Sequence, residues 1–147
     1  MKKIFFILLF LSSCGYQPLY TNQNQKNFAY EKVTLIGDKV LNRKIISALS
    51  IEEKKDNNLI DEIILDTNKI TSETSKDEKG QVASYRTLIS LNLTIKDQND
   101  ILKSKIFTED FSYNTLSNKF DLTEYQREIE SNLINKIIDN LIIYLNL

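Results

Sequence analysis

Histidine and tryptophan are absent from this chain, and cysteine and proline each occur once. Without histidine, no Ser-His-Asp or Cys-His catalytic arrangement can form, and imidazole-based metal sites are excluded with it. A single cysteine permits neither an internal disulfide nor a thiolate cluster. The 3 glycines, Gly15, Gly37 and Gly80, lie too far apart to build a phosphate-cradling loop. An excess of one charge is also missing: Lys plus Arg number 19 and Asp plus Glu 20. No dense basic stripe interrupts that balance, so no nucleic-acid partner is expected. These absences together lead us to expect a protein that is not an enzyme and that holds no cofactor and no metal. What is present, 147 residues of which 41% are hydrophobic, suffices for one domain with a sizeable core.

The N-terminus carries the clearest signal. Met1-Lys2-Lys3 is a short basic start, and Ile4 to Leu11 is an unbroken apolar run. A membrane span needs roughly 20 such residues, so the run fits the core of a secretory signal peptide instead. Ser12 and Ser13 follow, and then Cys14, the lone thiol. Leu11-Ser12-Ser13-Cys14 resembles the lipobox of bacterial lipoproteins. That resemblance implies removal of residues 1–13 and lipidation of Cys14 by a thioether-linked diacylglycerol and an amide-linked acyl chain such as palmitate. Two or more acyl chains anchor stably, where one binds only marginally. Gly15 rather than Asp follows Cys14, which by resemblance to lipoprotein sorting favours the outer membrane. The reading that competes with lipidation is an ordinary signal followed by a stray thiol.

Residues 14–27 are polar, contain Pro18, and read as a lipidated tether; residues 28–147 form the domain. Phe28 to Ile36 is rich in β-formers and reads as a strand. Asp38 can cap a helix over 39–50, where Val40, Leu41, Ile45, Ala48 and Leu49 recur at helical spacing. Residues 52–58 read as a charged turn. The β-branched content of 59–72 indicates a strand, 73–80 the tip of a hairpin, and 86–96 the next strand. There Ile89, Leu91, Leu93 and Ile95 alternate with Ser90, Asn92 and Thr94, which requires one buried and one wet face. Asp97 to Asp100 is a turn and 101–114 a strand, with Phe107, Phe111 and Tyr113 on its core face. After a loop, Asp121 or Thr123 is placed to cap a long helix, with Glu124 and Gln126 positioned for a capping box. Tyr125, Ile129, Leu133 and Ile137 begin its apolar stripe. The order β-α-β-β-β-α predicts an α+β two-layer sandwich: a four-stranded, mainly antiparallel sheet with two helices on one face.

With the lipobox, the tether and this element order in place, the chain resembles the LptE family of lipopolysaccharide-assembly lipoproteins. The local match is Cys14-Gly15-Tyr16-Gln17-Pro18-Leu19-Tyr20, since many members begin their mature chain with Cys-Gly, an aromatic residue and a Pro-Leu-Tyr-like ending. Ala83, Tyr85, Leu91 and Asp97 resemble the family's third strand and turn. Phe111-Ser112-Tyr113-Asn114, a short loop and a long terminal helix resemble its last strand and helix. The resemblance implies an outer-membrane lipoprotein, lipid-anchored on the periplasmic side. Its domain would plug and help assemble the large LptD-type β-barrel, and would bind lipopolysaccharide during insertion into the outer leaflet. The alternative is an envelope lipoprotein serving as accessory subunit of another lipid-transport or secretion machine.

Lipopolysaccharide carries phosphates and carboxylates, which call for lysine or arginine. The family's basic positions at the hairpin tip and before the last helix fall here on Lys76, Lys79 and Lys119, the candidate lipopolysaccharide contacts. Asp77 and Glu78 dilute the charge of the tip, and a solvated turn is the competing reading. Asp56, Asp61 and Glu62 form an acidic cluster without calcium-loop spacing, most simply a solvated patch.

Overall fold

A computed structural model describes residues 28–56 and 60–146. The elements are β1 (Ala29–Gly37), α1 (Lys39–Leu49), β2 (Glu52–Glu53), β3 (Ile60–Lys76), β4 (Val82–Asp97), β5 (Asp100–Asn114) and α2 (Lys119–Asn146). One sheet runs in the order β2-β1-β3-β4-β5. β1 lies parallel to both β2 and β3, and the β3-β4-β5 pairs are antiparallel.

The α+β two-layer arrangement matches the expectation, with one correction: the sheet has 5 strands, not four. The additional strand, Glu52–Glu53, falls where a charged turn was expected. Two residues carry no periodicity, so nothing local marks them as a strand. Their pairing is supplied by the neighbouring chain: Glu52 N–H donates to the Phe28 carbonyl at 3.0 Å and Lys54 N–H to the Tyr30 carbonyl at 2.9 Å. The Glu53 carboxylate also accepts the Val33 N–H at 2.9 Å, covering part of the β1 edge that β2 is too short to reach.

Burial follows the alternation in β4. Ile89, Leu91 and Leu93 are fully buried and Ile95 nearly so, while Ser90, Asn92 and Thr94 lie on the other face. Register places Ile63 against Ile95 and Leu65 against Leu93, so β3 adds its own buried row to the same side. Both helices cover that side. α1 contributes Leu41, Ile45 and Leu49, and α2 contributes the stripe from Ile129 to Leu141.

The helices differ in reach. α1 has 11 residues, about 16 Å, and runs from the level of Thr67 back to β2. α2 has 28 residues, about 42 Å, and packs along β4 and β5. Asp38 caps α1 as expected, its Oδ1 accepting Val40 N–H at 2.8 Å and Leu41 N–H at 3.1 Å. For α2 the expected caps are corrected. The helix begins earlier, and Asn118 Oδ1 accepts Phe120 N–H at 2.9 Å. Thr123 instead donates back to the Lys119 carbonyl at 2.9 Å. Among the described residues no helix is long and apolar enough to cross a membrane.

The register gives the sheet two distinct ends. Phe28, β2, Ile60 and the β4–β5 turn gather at one, the basal end. That turn holds Gln98 and Asn99 at φ 49° and 71°, the geometry a two-residue hairpin loop requires. The β3–β4 tip and the loop before α2 gather at the other, the distal end.

Candidate functional site

The distal end brings together two of the segments singled out in the sequence. Lys76 is the last residue of β3, opposite Val82, and Lys79 sits in the turn that follows. Lys119 is the first residue of α2. Thr115 N–H donates to the Ala83 carbonyl at 2.9 Å, which fixes the pre-helix loop beside the root of the hairpin tip. All three lysines are exposed, and none forms an ion pair with another described residue. Cys14 and the tether over 14–27 lie outside the described residues.

Asp77 has a further role that its charge alone did not suggest. Its Oδ1 accepts the N–H groups of Lys79 at 2.9 Å and Gln81 at 2.8 Å, while its backbone N–H donates to the Gln81 carbonyl. The carboxylate therefore organises the turn that presents Lys79, and Gly80, at φ 77°, supplies the left-handed residue the turn needs.

Below the tip, an aromatic column ties the layers together. Tyr85 stacks on Tyr113 at 5.8 Å, and Tyr125 from α2 meets Tyr113 edge-on at 5.8 Å. Beside it, Phe111, Tyr125, Ile129 and Leu133 line an apolar cleft of about 410 Å³, with Glu128 and Lys136 at its rim. Phe107 and Tyr113 are core residues as expected, but Phe111 is 46% exposed. All three have the same phase along β5. The difference arises because β5 is the edge strand, so α2 covers only part of its face and Phe111 overhangs. Strand phase cannot report that, because it depends on where the helix crosses.

The acidic cluster near β2 is absorbed by local structure. Glu62 accepts from the Thr34 hydroxyl and pairs with Lys32 at 2.9 Å, and these partners, Thr34 foremost, hold its carboxyl below the ordinary range. Asp61 accepts the Gln98 N–H at 2.6 Å and so braces the β4–β5 turn. No group of acidic, cysteine or histidine side chains among the described residues is arranged to hold a metal ion.

The sheet face turned away from the helices is mixed and mostly polar. Ser90, Asn92 and Thr94 alternate along β4, and Arg86 pairs across to Asp110 on β5 at 2.9 Å. That contact holds the Asp110 carboxyl below its ordinary value and the Arg86 guanidinium above its own. Ile70 and Ile106 punctuate this face, 51% and 67% exposed.

No known protein-family model matches the chain, and no curated protein sequence does either. Solved structures do match. Rare lipoprotein B from Shewanella oneidensis aligns with a TM-score of 0.60 at 13% identity, over 78% of this chain and 92% of that one. Lipoprotein B from Nitrosomonas europaea aligns at 0.58 with 10% identity, over 78% and 79%. A minor lipoprotein from Acinetobacter baumannii aligns at 0.51 with 13% identity, over 76% and 87%. At such identities the likeness is one of fold: this chain folds as those three lipoproteins do.

Proposed function

We propose that this chain is an outer-membrane lipoprotein that plugs and helps assemble an LptD-type β-barrel and binds lipopolysaccharide as it enters the outer leaflet. The observation that carries the reading is the opposition of the two ends. The chain enters the domain at Phe28 on the basal end, so a lipid on Cys14 would hold that end at the membrane. The hairpin tip then projects away from it along strands of 16 and 17 residues, about 50 Å. A plug needs such a rigid, elongated body, with a mostly polar flank suited to a water-filled lumen. The face carrying Ser90, Asn92, Thr94 and the Arg86–Asp110 pair has that character. The fold shared with three solved lipoproteins, rare lipoprotein B among them, supports the lipoprotein reading.

In this function no bond is made or broken. The work lies in shape and charge: Lys76, Lys79 and Lys119 at the distal end would meet phosphates or carboxylates of the lipopolysaccharide, or the inner wall of the barrel.

The test is co-purification of the tagged chain with a very large outer-membrane barrel, together with the lipopolysaccharide content of the cell surface in a deletion strain. The expected result is a one-to-one complex and a surface defect. Normal export with no barrel captured would favour an accessory subunit of another lipid-transport or secretion machine.

A further inference from the structure

We infer that the edge of the domain formed by β5 and the last turn of α2 docks on anionic phospholipid headgroups of the membrane to which the chain is tethered. The inference rests on the lipoprotein reading alone for the position of the membrane, and requires the basal half of the domain to lie outside any barrel lumen.

Two lysines surround one ring. Lys105 Nζ lies 4.9 Å from the centre of the Tyr144 ring and 5.0 Å from that of Phe107, and Lys103 Nζ lies 5.3 Å from Tyr144. Lys103 also points at the Tyr144 carbonyl, at 3.5 Å, where the negative end of the α2 dipole emerges. Neither ammonium pairs with a carboxylate among the described residues. Both charges are thus held beside an aromatic face, with no counter-ion among the described residues.

Apolar side chains flank these charges. Ile143 is 59% exposed and with Lys105, Phe107, Asn140 and Tyr144 lines an open depression of about 360 Å³, while Ile106, 67% exposed, borders it from the outer face of the edge strand. Leu102, next to Lys103 where the β4–β5 register shifts, is 52% exposed. Lysines with aliphatic stems beside a tyrosine and exposed isoleucines are the chemistry of a membrane interface, where apolar parts sink among headgroups and ammoniums meet phosphate.

The position of the patch selects a bilayer as the occupant. It belongs to the basal half, where β5 begins beside the β4–β5 turn and Phe28 enters the sheet. Only 13 residues separate Cys14 from Phe28, a reach of about 45 Å at full extension. A chain anchored at Cys14 therefore keeps this edge within reach of the headgroups.

The experiment places the lipidated chain on vesicles of phosphatidylcholine alone and on vesicles of phosphatidylcholine with phosphatidylglycerol, and follows amide hydrogen exchange. With phosphatidylglycerol present, amides in 101–106 and 140–146 should exchange roughly tenfold more slowly, while the tip over 77–81 stays unchanged. The paired substitution Lys103→Gln and Lys105→Gln should erase the difference without releasing the chain. Attachment to both vesicles with identical exchange overturns the docking surface and leaves the lipid anchor standing. Attachment only to phosphatidylglycerol vesicles, by a chain without lipid on Cys14, supports the surface and overturns the anchor; attachment to neither overturns both. Protection that appears equally in detergent and grows with protein concentration assigns the edge to a second copy of the chain and overturns the inference.

Discussion

The Thr67 hydroxyl lies 3.1 Å from the side-chain oxygen of Asn42, and both residues are buried, at 1% and 2% exposure. The same hydroxyl is 3.1 Å from the Asp38 carbonyl, and Asn42 Nδ2 donates to the Ile36 carbonyl at 2.9 Å. This small polar network locks the start of α1 to the middle of β3. No buried side-chain polar atom among the described residues is left without a partner. Replacing Thr67→Val keeps the shape and removes the donor, stranding Asn42 Oδ1. The expected cost is about 1–3 kcal/mol in urea unfolding. A double-mutant cycle with Asn42→Leu should show a coupling of at least about 0.5 kcal/mol, since the two residues share one hydrogen bond.

Gly37, next to this network, has φ 83°, and a Cβ there would lie 1.8 Å from the Thr67 carbonyl oxygen. Backbone atoms on both sides cannot give way. Gly37→Ala should therefore cost more than about 3 kcal/mol. Gly80 has φ 77° but open space around it, so Gly80→Ala should cost only about 1–2 kcal/mol, the penalty of the left-handed conformation alone. Thermal melts of the two variants check the ordering.

The Asp38 carboxyl is held below its ordinary value chiefly by the Leu41 N–H, with the Val40 N–H and the charges of Lys69 and Lys44 adding to it. A carboxyl whose folded pKa is depressed stabilises the protein above its unfolded pKa. That stability disappears as pH falls through the folded value. Glu62 and Asp110 are shifted in the same direction, so the chain should lose stability as pH drops below about 4. Asp38→Asn preserves a good helix cap but removes one titrating group. Its unfolding midpoint should change less between neutral and acidic pH than that of the parent chain.

At the distal end, Lys79→Glu together with Lys119→Glu should weaken lipopolysaccharide binding and leave stability within about 0.5 kcal/mol of the parent, because both side chains are exposed. Binding to purified lipopolysaccharide, measured beside a urea titration, checks both halves. Unchanged binding would remove these two lysines from the contact surface. Asp77→Ala makes a useful contrast. It spares the tip lysines but removes the acceptor of two turn N–H groups, so reduced binding there would show that turn shape matters as well as charge.

The α+β class, the order of the two helices and four long strands, and the buried face of β4 are all legible in the amino-acid pattern. Those features rest on period: Ile89, Leu91, Leu93 and Ile95 at every second residue, and Ile129, Leu133 and Ile137 at every fourth, are readable without knowing what they pack against. Asp38 was equally legible as a cap, because an N-cap acts within one turn of its own helix. Tertiary structure alone decided the fifth strand, because a two-residue element exists only through the backbone groups of Phe28 and Tyr30. It also decided which aromatics of β5 are core. Phe107, Phe111 and Tyr113 have one phase, and the path of α2 across an edge strand buries two and exposes the third. The distal lysines were identifiable as types at turns, but their convergence on one end depends on the Thr115–Ala83 backbone bond and the antiparallel register. The pairing of Lys103 and Lys105 with Tyr144 was invisible for the same reason. About 40 residues separate the strand from the end of the helix, and only the packing of α2 on β5 brings that ring between two charges.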